Sequence, residues 1–179
     1  MKKFRQKYWL LLTIAGLIVL IDQVTKAVVR TAIPFGSRWM PLEWLAPYFR
    51  FVHWENTGAA FGMFQEGGIV FGVLAVLISI FIMFYYPQIP KEEKLMRVAM
   101  AMQLGGALGN LIDRVARGPV TDFISVGNFP VFNIADSSIT IGVGLLVLAL
   151  WISERREKNR LSAFEESTAD SIEPADNHL

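Results

Sequence analysis

The sequence predicts a helical membrane protein, a single domain of four spans, and three observations carry that prediction. Apolar residues make up 53% of the 179 residues and charged ones 18%, with a mean hydropathy of +0.40, a balance foreign to ordinary soluble domains. The apolar residues concentrate in four runs, near residues 8–29, 68–86, 95–112 and 136–152, with lengths that suit helices in hydrocarbon. Polar residues gather in one link instead of being spread through the runs: Asn110, Asp113, Arg114, Asp122, Asn133 and Asp136 lie between Gly105 and Asp136. An Asp at a helix centre costs roughly 2.5 to 3.5 kcal/mol on insertion scales, so such a gathering points to function. The domain is expected over residues 1–160, with an acidic, disordered tail over residues 161–179.

The first span opens with Lys2, Lys3, Arg5 and Lys7 before Tyr8, Trp9 and an apolar run to Ile21. A removable signal peptide begins in the same way, but no small-residue cleavage site follows, and Ala27, Val28 and Val29 continue the span. Asp22 and Lys26 are four residues apart on one helix face, either a neutralising pair near the membrane surface or a brace for a site. Residues 30–67 form a link too long to be a turn, with Pro34, Pro41 and Pro47. Bulky residues from Tyr48 to Trp54 predict a strand, and Trp39, Trp44 and Trp54 suit an aromatic belt at the interface. His53 reads as an interfacial strand residue. In the Asn56-Thr-Gly58 segment, Asn56 offers donors and acceptors to an extended peptide, and the small residues permit close backbone approach, although Asn-Thr-Gly is also a common turn.

The second span carries no charge and is closed by Pro87 and Pro90, which marks it as scaffold. In the third, Ala101, Gly105 and Gly109 recur every four residues, a spacing that admits a neighbouring helix. No Lys-Ser/Thr follows these glycines, so a phosphate loop is a poor reading. Four basic residues flank the first span, three lie between the second and third, and four follow the fourth. By the positive-inside rule both termini face the cytoplasm, and the polar link lies at the outer face.

Within that link, Val120 to Val126 and Phe129 to Phe132 are strand-like runs separated by Gly127-Asn128, a hairpin signal. That register places Val126 opposite Phe129 and Asp122 opposite Asn133, with Asp136 three residues further, where the fourth helix begins. Pro130 weakens the hairpin because it belongs on an edge. Asp122 and Asp136 would then converge at an apolar boundary, where two carboxylates tend to share one proton, as aspartyl peptide hydrolysis requires. The competing reading makes Asn133 or Asp136 only a helix cap.

Five segments, Asp22-Gln-Val-Thr-Lys26, Asn56-Thr-Gly-Ala-Ala-Phe-Gly62, Gly105-Gly-Ala-Leu-Gly-Asn-Leu-Ile-Asp-Arg114, Gly118-Pro-Val-Thr-Asp-Phe123 and Phe132-Asn-Ile-Ala-Asp136, occur in order across the chain. Together they resemble the lipoprotein signal peptidases, the signal peptidase II family of bacterial membrane aspartyl proteases. The resemblance implies four transmembrane helices with a small extracytoplasmic β-sheet cradle, and a site at the outer face of the cytoplasmic (inner) membrane. It implies that Asp122 and Asp136 are catalytic, with Asn56, Gly58, Asn110, Arg114 and Asn133 lining the site and Asp22 and Lys26 supporting it. It also implies diacylglyceryl-modified prolipoproteins as substrates, cut before the lipidated Cys, and inhibition by globomycin. Membrane lipid is the surrounding partner, a monomer is expected, and no cofactor, metal or nucleic acid is called for. A small transporter would place polar groups nearer mid-bilayer, and a metal-dependent lipid phosphotransferase would need tighter acidic spacing than Asp113, Asp122 and Asp136 offer.

Overall fold

The computed structural model describes residues 2–58 and 67–172, with side chains for residues 7–58 and 67–164. Among the described residues four α-helices form: α1 (Lys2–Ala32), α2 (Gly68–Tyr85), α3 (Lys94–Arg117) and α4 (Ile134–Ile172). Each contributes a segment long and apolar enough to cross a membrane: Lys7–Ala32, Gly68–Gln88, Lys94–Arg117 and Ile134–Phe164. Three strands, β1 (Arg38–Trp39), β2 (Phe49–Asn56) and β3 (Val120–Val126), make one antiparallel sheet in the order β1-β2-β3.

Helix α3 is the centre of the bundle. It is the least apolar of the four spans and yet 56% buried, against 11 to 22% for the others, because neighbours and not lipid cover most of its surface. The small residues at four-residue spacing explain how. A Cβ on Gly105 would sit 2.8 Å from Ile18 Cβ, and one on Gly109 would sit 2.8 Å from an Asp22 carboxylate oxygen, so both glycines seat α1. Gly106 opens a second face: a Cβ there would collide with the Ala135 carbonyl at the start of α4. Helices in lipid have no hydrophobic drive to associate, so close backbone approach must supply the packing. At the end carrying the N-terminus, Leu11, Ile82, Tyr86, Met100 and Leu104 form an apolar core.

At the opposite end, Val29 and Ile33 of α1 pack with Phe123 of β3. Alternation along β3 then decides which side chains serve structure and which face the cleft. Thr121 meets the end of α1, where its hydroxyl accepts from Arg30 Nη1 at 3.0 Å, and Asp122 points to the other side.

Two expectations are corrected. The strand at Val120–Val126 forms, but its partner is β2 and not a hairpin arm at residues 129–132. Only one bridge joins the expected arms, Ile124 to Phe132, one residue away from the predicted register. Gly127 does turn the chain, at φ 51°, but Pro130 cannot donate to a ladder, and β2 offers a longer edge. The tail expected to be disordered from residue 161 is helical through Ile172. Residues 153–172 hold neither Gly nor Pro before Pro174, and Lys158 pairs with Glu154 at 2.8 Å on one face. The motif residues Ala59, Ala60, Phe61 and Gly62 lie outside the described residues.

Candidate active site

The two expected carboxylates meet where the sheet abuts the start of α4, and one residue binds both. Asn133 Nδ2 donates to Asp122 Oδ1 at 2.7 Å, and the Asn133 backbone N–H donates to Asp136 Oδ2 at 3.2 Å. The Asn133 side-chain oxygen accepts from the Asp136 backbone N–H at 2.9 Å, which closes a reciprocal cap on α4. Capping and site building are therefore one arrangement, and the two readings of Asn133 and Asp136 are not rivals. Asp136 Oδ1 accepts from Asn110 Nδ2 at 2.7 Å. Asp122 Oδ2 accepts from Asn56 Nδ2 at 3.0 Å, across the diagonal of the β2–β3 ladder in which Trp54 faces Asp122 and Asn56 faces Val120. Asn56 is itself fixed, because its oxygen accepts from the Gly58 backbone N–H at 2.9 Å.

Beneath the carboxylates lies a buried ionic network. Lys26 has three ammonium protons and three acceptors: Asp22 Oδ2 at 2.8 Å, Asp113 Oδ2 at 3.0 Å and Asn110 Oδ1 at 3.1 Å. Asp22 Oδ1 accepts from the Ala135 backbone N–H at 3.0 Å, at the positive end of the α4 dipole. Asp113 Oδ2 also accepts from the Thr121 backbone N–H at 3.2 Å and so ties α3 to β3 beside Asp122. Gln23 Nε2 bridges Asp22 Oδ2 and the Gly109 carbonyl at 3.1 and 3.0 Å. Asp22 and Lys26 are completely buried, and the pair touches the site through Asn110 and the Ala135 backbone instead of facing solvent. Sequence reasoning singled out Asp113 without giving it a role and missed Gln23, Arg30 and Thr121. The Asp-Gln-Val-Thr-Lys segment carried a signal for Gln23, one residue after Asp22.

A cleft of about 600 Å³ opens over the pair. Asn56, Asn110, Arg114, Asp122 and Asp136 are its polar part, and Phe71, Val131, Phe132, Ile139 and Ile141 give it apolar walls. Arg114 is half-buried at its side, with long contacts of 3.5 Å to the Gly58 and Asn110 carbonyls. Burial, and after it the charge of Asp136, pushes the Asp122 carboxyl up to about 7, although hydrogen bonds from Asn56 and Asn133 act the other way. A carboxyl of that strength can be protonated at neutral pH beside an ionised partner, which is what acid–base hydrolysis of a peptide needs.

Comparison with known proteins identifies the family. The family model described as signal peptidase (SPase) II matches residues 14–152. The chain belongs to the signal peptidase II family. Lipoprotein signal peptidases of Shouchella clausii and Symbiobacterium thermophilum are 42% and 40% identical to it, each over 81% of this chain and 95% and 96% of their own. One from Staphylococcus aureus is 36% identical over 81% of this chain and 91% of its own. Two solved bacterial membrane enzymes superpose with TM-scores of 0.74 and 0.70 at 34% and 35% identity. They cover 80% and 78% of this chain and 88% and 91% of theirs. The region common to this signal peptidase II and its family takes in every described site residue; α4 beyond Ile152 lies outside the match.

Proposed function

We propose that this chain is the membrane endopeptidase that removes the signal peptide from diacylglyceryl-modified prolipoproteins, cutting on the N-terminal side of the lipidated Cys. The observation that carries the reading is the convergence of Asp122 and Asp136 on Asn133, at the floor of a cleft with apolar walls, in a signal peptidase II. One carboxylate takes a proton from water while the protonated partner donates to the scissile carbonyl, giving a tetrahedral diol with no covalent enzyme intermediate. Collapse of the diol passes a proton to the leaving amine and restores the shared proton. Asn110 and Asn133 fix the carboxyls during this exchange, and Asn56 and Arg114 offer donors to a peptide backbone that has left its helix. Such partners are needed, because a carbonyl inside a helix is already hydrogen-bonded and a bare one in hydrocarbon is costly.

The basic flanks support a topology with both termini in the cytoplasm of a bacterium and the carboxylate pair at the outer face of the inner membrane. The chain acts as a monomer, and globomycin inhibits it by filling the cleft. Purified protein in detergent, given a diacylglyceryl-modified prolipoprotein and its unlipidated twin, should process the first only, with or without a chelator. Cleavage lost on chelation and restored by Mg²⁺ would replace the aspartyl reading with a metal-dependent one.

A further inference from the structure

A second concavity of about 590 Å³ lies between α2 and α3. Its α2 wall is Gly68, Ile69, Gly72, Val73, Val76 and Leu77, the one-and-four spacing of a single helix face. Leu111, Arg114 and Val115 of α3 make the facing wall, so Arg114 lines both this groove and the catalytic cleft. The two hollows share that one lining residue.

A lipidated precursor has two apolar limbs on either side of its scissile bond. The signal helix precedes the bond, and the diacylglyceryl chains hang from the Cys that follows it. Neither limb can leave hydrocarbon cheaply while the bond sits at the carboxylates, so each needs its own apolar path. The cleft wall formed by Ile139 and Ile141 of α4 offers one path, and the α2–α3 groove offers the other. We propose that the α2–α3 groove holds an acyl chain of the substrate's diacylglyceryl group, and that Arg114 donates to the glycerol ester carbonyls at its mouth; this rests on the reading of the substrate given above. Gly72 leaves room for the chain to pass, since even a Cβ there would stay 3.9 Å from Arg114 Cδ. Val73, Val76 and Leu77 are exposed at 40 to 57%, so a chain can enter sideways from the bilayer.

The test compares precursors that differ only in acyl length, eight carbons against sixteen. The unaltered enzyme should show the lower KM for the longer chain. Val76→Trp should raise KM for that substrate by about tenfold and erase the difference, whereas Leu20→Trp, on the lipid-facing side of α1, should keep it. A diazirine at the chain terminus, with Asp136→Asn protein holding the substrate uncut, should label α2 between Val73 and Leu77. Equal KM values in the unaltered enzyme, a preference kept by Val76→Trp, or label confined to Ile139 and Ile141 would each overturn the groove assignment while leaving the peptidase reading intact. Cleavage of neither precursor by the unaltered enzyme would instead remove the peptidase reading, and this inference with it.

Discussion

Asn133 hydrogen-bonds both carboxyls, and at Asp122 burial raises the carboxyl against the hydrogen bonds of Asn133 and Asn56. Asn56 donates to Asp122 and favours its ionised form, so Asn56→Ala should raise the Asp122 carboxyl further and move the alkaline limb of the pH–rate profile upward, besides slowing turnover. In the proposed mechanism that limb belongs to the coupled pair, because the hydrolysis needs the shared proton whichever oxygen carries it. A limb unmoved in Asn56→Ala would separate Asn56 from the pair. The same shift governs stability. The folded protein holds the Asp122 proton up to about 7, whereas the unfolded chain releases it near 3.8, so folding takes up a proton between those values. Stability should therefore fall as pH rises from about 4 to about 7, and Asp122→Asn should flatten that slope in thermal unfolding followed in detergent. At this scale the sequence was legible where spacing was short: Asp136 sits three residues from Asn133. The approach of Asn56 to Asp122 spans 66 residues, and the resemblance could name both as site residues without showing that they touch.

The elements repeat that division between local and distant signals. Hydropathy placed the starts of α2, α3 and α4 within two residues of 68, 95 and 136, because a span announces itself by its own composition. Strand β1 has two residues and no periodicity to read, and the choice of β2 as partner for β3 is a tertiary decision that no local pattern holds. The weight of the ionic network was also hidden, since Asp113 joins Asp22 and Lys26 only when α3 packs on α1. Breaking a buried pair strands a charge, so Asp22→Ala should cost about 3 to 5 kcal/mol, well beyond the modest effect of a surface pair, and should lower the melting temperature steeply. Gly109→Ala tests the same contact from the other side: its methyl would push against the Asp22 carboxylate, and a protein as stable as the original would contradict the packing described for α1 and α3.

The whole molecule separates two tasks along its length. An apolar core among α1, α2 and α3 holds the end with the N-terminus, and the buried ions, the sheet and the carboxylate pair occupy the other end. The chain has no Cys, so single Cys variants report topology cleanly. Ser37→Cys before β1 should react with an impermeant maleimide added outside cells, and Glu92→Cys between α2 and α3 only after permeabilisation; the reverse pattern would invert the orientation. The four-span order was readable because lipid imposes it on composition, whereas the cleft required the tertiary meeting of α3, α4 and the sheet. The central claim is that Asp122 and Asp136 together cut the precursor. Its most direct measurement is the single-turnover rate on a lipidated precursor, with the new N-terminus identified, for the unaltered protein, Asp122→Asn and Asp136→Asn in one detergent. Each variant should stay folded, since an amide keeps the shape, and lose at least about 10²- to 10⁴-fold in rate; near-normal cleavage before the lipidated Cys by either one would contradict it.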